Sequence, residues 1–259
     1  MNKVFAVFLK DFRLAMSYKI NFVMIFVSPI ISMLLLFLII TSIMNTNESH
    51  LNLESFRSIF YGIIFIDLSF VVISSLPRLI NEYRQQGILE ETFLSSDLYV
   101  IFSSFAWIFV IFSFKSFVYF LIGSLIFKIS FIQDMLFIKI VIILLPTFFA
   151  LMGLSIISAS YTIINLKSNA VQTIIMIGSS FLSGAFFPTK LLPDILFQIS
   201  HIIPITYSIN LIKNIHEFSF FSLELLALAL LAIALNFLGY FLVKKSIAKA
   251  KKDGMLIYF

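Results

Sequence analysis

The sequence predicts an all-α polytopic membrane protein with six transmembrane helices, an N-terminal interfacial helix and an extracellular re-entrant helical hairpin before the last span. Three observations predict it. Hydrophobic residues fill 61% of the 259 positions and charged residues only 12%, where soluble domains have about 45–50% and about 25%. Six apolar stretches reach the roughly 20 residues that a helix needs to cross a bilayer. Basic residues collect at the ends of those stretches rather than in one patch, so the excess positive charge does not point to nucleic acid.

Residues 1–19 read as a helix lying flat in the membrane interface. At about 100° per residue, Lys3, Lys10, Arg13 and Ser17 share one side, and Val4, Phe5, Phe8, Leu9, Phe12 and Met16 share the other. Extending the first span backwards instead would draw Lys10 and Asp11 towards lipid. The spans are expected at Ile20–Met44, Ser55–Leu76, Val100–Phe127, Phe137–Ile164, Asn169–Phe187 and Ser222–Val243. Pro146 and Gly153 predict a kink or local unwinding in the fourth. The charged segment 77–99 reads as two short amphipathic helices broken at Gly87. Segment 188–207 is too apolar for an ordinary loop, and its proline-bounded pieces are too short to span, as expected of a re-entrant hairpin. The tail 244–259 carries Lys244, Lys245, Lys249, Lys251 and Lys252, an anchor for anionic headgroups. The whole of 1–259 reads as one transmembrane domain, without a signal peptide or internal repeat.

Orientation follows from the cations. With both termini in the cytoplasm, twelve of the eighteen Lys and Arg residues lie inside, five lie outside, and Lys115 falls within a span. That bias is the one that sets membrane topology.

Chemistry is sparse. There is no cysteine, hence no disulfide, thiolate metal site or cysteine nucleophile. His50, His201 and His216 are scattered without metal-ligand spacing. Glu90 and Glu91 are adjacent, so a helix points them in different directions and they form no catalytic pair. No Gly-x-x-x-x-Gly-Lys-Ser/Thr loop is present to cradle ATP phosphates. No catalytic or metal-binding residue is predicted. Two charges lie inside spans, Asp67 and Lys115. Their depths from the cytoplasmic ends come to about 14 Å and about 22 Å, at about 1.5 Å per residue. They either pair to fix helix packing or line a polar path, because intramembrane charges face protein or water. Ser179, Ser180 and Ser183 suit close helix packing.

Two segments resemble the type-2 ABC exporter permeases. Ser183-Gly184-Ala185-Phe186-Phe187-Pro188, then Leu192-Pro193, then Ile203-Pro204-Ile205-Thr206-Tyr207, is similar to the family's Gly-x-x-x-Pro turn and its proline-centred external hairpin. Glu82-Tyr83-Arg84-Gln85-Gln86-Gly87-Ile88-Leu89-Glu90 resembles its cytoplasmic coupling motif. Where the family often continues with Thr-Pro, this chain has Ser95-Ser96-Asp97. The resemblance implies a permease in the cell membrane of a bacterium or archaeon, working as a dimer with two separate ATP-binding cassette subunits. ATP and magnesium would bind there, and no cofactor would bind this chain. It implies export of a hydrophobic or amphipathic substrate, whether drug, lipid, peptide or lipid-linked glycan. The coupling residues would be Glu82, Tyr83, Arg84, Gly87, Leu89, Glu90, Glu91 and Phe93, with Leu89 and Phe93 as an apolar knob. The hairpin residues would be Gly184, Pro188, Pro193, Pro204 and Tyr207. The alternative is a self-sufficient secondary transporter or channel, which should show repeats, broken spans and more intramembrane charge.

Overall fold

Leucine, isoleucine and phenylalanine runs with few interruptions leave the chain one way to satisfy its backbone in lipid, which is within each helix. The structure, a computed structural model, describes residues 53–87, 89–126, 136–165, 170–215, 219 and 222–253, with scattered positions between 9 and 38, all of them helical. From Leu53 on, the described residues form seven α-helices: α1 Leu53–Gln85, α2 Leu89–Ile126, α3 Leu136–Ile164, α4 Ala170–Leu182, α5 Asp194–Ser200, α6 Pro204–Lys213 and α7 Leu223–Lys252. A 3₁₀ turn, Thr189–Leu191, precedes α5. The interfacial helix 1–19 and the first span Ile20–Met44 fall largely outside the described residues.

The sequence predicts six spans. Among the described residues, four helices are long and apolar enough to cross a membrane: Ile59–Gln85, Ser104–Leu125, Phe137–Ile164 and Leu223–Lys252. A fifth is counted if α5 and α6, bent by 84° at their junction, act together. The expected fifth span, Asn169–Phe187, is where sequence and structure part. Among the described residues its helix covers 13 positions, about 20 Å against a hydrocarbon core of about 30 Å. Gly184 stops it, with φ at +78°, a conformation that side chains disfavour.

The charged segment 77–99 is helical on both sides of Gly87, but its two helices are the ends of long ones and not short pieces. α1 passes straight through Pro77 to Gln85, and α2 begins at Leu89, so only the turn at Gln86 and Gly87 interrupts two long helices. Beside Pro77 the backbone of α1 is joined to a neighbouring helix. Ser155 Oγ of α3 lies 3.3 Å from the Leu76 N–H, which donates to it, and 3.2 Å from Ser75 Oγ. α7 likewise continues past Val243 to Lys252, carrying the basic tail as helix. Within the 188–207 segment, Pro188 caps the 3₁₀ turn, Pro193 caps α5 and Pro204 opens α6. Proline suits these positions because the first turn of a helix needs no N–H from it. α6 runs beyond Tyr207 to Lys213.

α3 is the centre of the molecule, packing against α7 along its length and also against α1, α4 and α6. Small residues set that distance. A β-carbon on Gly153 would stand 2.7 Å from Leu235 Cβ, and one on Gly239 would stand 3.0 Å from Ile156 Cβ. With the backbones this close, Asn236 Nδ2 reaches across to donate to the Phe149 carbonyl at 2.7 Å. Close approach of this kind is how helices associate where lipid removes the hydrophobic drive. Thr147 Oγ1 and Ser208 Oγ, 2.7 Å apart and buried, join α3 to α6.

Candidate functional site: the Gly87 turn and the Asp67 ion pair

The last turn of α1 sorts its side chains by direction. Glu82, Gln85 and Gln86 are exposed, whereas Tyr83 and Arg84 are buried. The helix closes with Gln86 N–H donating to Glu82 O and Gly87 N–H to Arg84 O, each at 3.0 Å. Gly87 has φ +70°, and a β-carbon there would meet nothing within 4 Å. Glycine is therefore needed for its backbone angle and not for space. Leu89 opens α2 and turns inward, 4% exposed within the apolar core. Glu90, Glu91 and Phe93 follow in the first two turns of α2, and their side chains lie outside the described residues.

Three of the eight sequence-predicted coupling residues thus face inward. Leu89 is a core residue and not half of an exposed knob. Tyr83 receives Lys10: the Lys10 Nζ donates to its hydroxyl at 2.9 Å and stands 4.5 Å from its ring centroid. Arg84 reaches α3, donating to the carbonyls of Thr162 at 2.7 Å and Ile163 at 3.4 Å. Burial of an arginine is tolerable only with such partners.

The structure brings Asp67 and Lys115 together. Lys115 Nζ lies 2.6 Å from Asp67 Oδ2, and the Tyr119 hydroxyl donates to the same oxygen at 2.8 Å. The lysine side chain is 6% exposed and the carboxylate side 27%. Tyr119 was not singled out from the sequence, although it sits four residues from Lys115 and so shares its helix face. The contact also spans a difference in position along the two helices. From Gly87, Asp67 lies 20 residues back, while Lys115 and Tyr119 lie 28 and 32 residues on. Two helices leaving the turn along one axis would be offset by about 12 Å and about 18 Å at these positions. Opening the helices at an angle would only lengthen these separations, so the reach of the long lysine and tyrosine side chains must cover much of them.

At the opposite end, Gly184 makes a second left-handed turn. Lys213 Nζ donates to its carbonyl at 3.0 Å, and a β-carbon on it would lie 2.9 Å from Thr189 Cγ2. Lys139 Nζ donates to Ile215 O at 3.2 Å, and the Tyr207 hydroxyl donates to His201 O at 3.0 Å. α6 is buried beneath, while Leu191 and Ile195 of the outer pieces are exposed. Ser179, Ser180 and Ser183 are buried, each hydroxyl of the last two returned to its own helix. Among the described residues no cluster of His, Asp or Glu could hold a metal ion. An apolar groove of about 300 Å³ opens between α2 and α3, with Phe109, Phe117, Phe137 and Leu144 on its walls. It offers room for a hydrocarbon chain and no charge.

Comparison with known proteins places these features in context. The profile of the ABC-2 family transporter proteins matches residues 47–243, which include both glycine turns and the ion pair. Nodulation protein J of Sinorhizobium fredii (strain NBRC 101917 / NGR234) is 48% identical over 42 residues, 16% of this chain and 16% of that protein's length.

Proposed function

Because the chain belongs to the ABC-2 family of transporter proteins, we propose that it is the permease subunit of an exporter whose ATP is hydrolysed in separate subunits. Family membership makes it a multi-pass membrane transport component; the rest is our reading. Two copies, or one copy and a paralogue, form the conduit. The Gly87 turn faces the cytoplasm, as do both termini, and docks an ATP-binding cassette subunit that carries the nucleotide and magnesium. The substrate is hydrophobic or amphipathic: a drug, lipid, peptide or lipid-linked glycan.

The observation that carries this reading is the Gly87 turn itself. It presents Glu82, Gln85 and Gln86 to solvent at a helix end, over a buried base of Tyr83, Arg84 and Leu89. A projecting turn on a rigid footing can be pushed without deforming. The first turn of α2 holds Glu90 and Glu91, whose charge complements the helix dipole and suits a basic groove. Phe93 supplies the apolar contact now that Leu89 is assigned to the core. The 188–207 hairpin, with its 84° bend, caps the conduit from outside as a re-entrant element.

Affinity purification of a tagged chain from its native membranes in mild detergent should recover an ATPase. Glu90→Lys should remove that ATPase, and Phe93→Ala should weaken its binding by about 1–3 kcal/mol, the effect of losing an interface anchor. Both should leave the amount of permease in the membrane unchanged. Undiminished recovery of the ATPase with both variants would overturn the docking assignment.

A further inference from the structure

Arg84 occupies a place that a docking residue would not. It is 4% exposed, and its guanidinium reaches away from the turn to the end of α3. Thr162 and Ile163 are among the last four residues of that helix, whose carbonyls have no donor further along it. A cation there also meets the negative end of the helix dipole. A second arm of the same guanidinium donates to Asn81 Oδ1 at 3.2 Å, one turn back on α1. The side chain therefore bridges the last turn of α1 to the last turn of α3.

From the geometry we infer that Arg84 is a positioning residue that transmits displacement of the Gly87 turn into α3. This rests on the reading that the turn docks the ATPase. Three contacts make the transmission specific. Gly87 lies only three residues beyond Arg84, joined by its own N–H to the Arg84 carbonyl. Ser155 ties α3 to α1 at a second level, beside Pro77. Gly153, Gly239 and Asn236 then lock α3 to α7 with no room between the backbones. A push at the turn would thus move α3 and α7 together, and Arg84 is the link closest to where the push arrives. Arginine suits this role because one nitrogen of its planar fork holds the α3 carbonyls while the other holds Asn81, whereas a lysine ammonium is a point charge.

The test uses the permease with its ATPase in lipid nanodiscs, with ATP plus vanadate as the probe. The chain has no cysteine, so Gln86→Cys or Tyr161→Cys, both at exposed positions, gives a single spin label per copy. In the wild-type background, the distance between copies should change with ATP plus vanadate at both positions. In Arg84→Met, the change at position 86 should persist, while that at 161 should be at least halved. Arg84→Lys should restore part of it, which a loss of general stability would not do. If Arg84→Met is not recovered from membranes, Arg84→Lys alone decides, with an intermediate change at 161 expected. Equal changes at 161 with and without arginine would overturn the inference and leave the docking reading standing. No change at 86 in the wild type would sink the docking reading and the inference with it.

Discussion

Gly87 and Gly184 share a left-handed backbone, with φ at +70° and +78°, and nothing else. Around Gly87 a β-carbon would find no atom within 4 Å; around Gly184 it would press on Thr189 at 2.9 Å. The Gly184 carbonyl is held by Lys213, and next to it Ala185 sits so close to α1 that a β-carbon on Gly62 would be 2.6 Å from its carbonyl oxygen. One turn is embedded in its own protein, and the other stands clear of it. The lesson is that the same backbone angle can serve to lock a fold or to present a surface, and the surroundings decide which.

The contrast is most easily broken by substitution. Gly184→Val should show the largest effect. The backbone penalty of about 1–2 kcal/mol adds to overpacking of about 1–3 kcal/mol, and a thermal unfolding series in detergent should show a large fall in midpoint. Lys115→Met comes next and tests whether the two limbs of the Gly87 hairpin are tied together. Stranding a buried charge costs about 3–5 kcal/mol, but Asp67 is 27% exposed, so about 2–3 kcal/mol is expected. Asp67→Asn combined with Lys115→Met should recover part of that loss, and strictly additive losses would deny the coupling. Lys213→Met should lower stability by about 1.5–2 kcal/mol, the worth of a hydrogen bond from a charged donor. Gly87→Ala should do least to folding, about 1 kcal/mol, because only the backbone angle opposes it. If Gly87→Ala destabilised the chain as much as Gly184→Val, the two turns would not differ in the way described.

Much of the architecture could be read from residues alone, because lipid permits so few backbone solutions. The helix-only fold, the glycine break at position 87 and the roles of Pro188, Pro193 and Pro204 all follow from local rules. What escaped was set by partners distant in sequence. Pro77 lies inside α1, next to a backbone N–H that donates to Ser155 on another helix. Arg84 and Tyr83 look like surface residues because charge and hydroxyl suggest water, yet their partners are α3 carbonyls and Lys10. Leu89 fits an exposed knob by its i, i+4 spacing with Phe93, but the turn folds it under α1 and into the core. The depth difference between Asp67 and Lys115 counts backbone rise alone, and the long lysine side chain reaches across much of it. Length misled once, at Asn169–Phe187, where an apolar run continues through a glycine turn.

The serine that joins α3 to α1 beside Pro77 also sets a timetable for biogenesis. Ser155 is 79 residues downstream of Leu76, so at about 5–20 residues per second the ribosome delivers it about 4–16 s later. Through that interval the newly made α1 has not yet met the α3 hydroxyl that binds it beside the proline. Insertion of the early helices therefore precedes their final conformation. A chain arrested before α3 emerges would leave α1 without that contact.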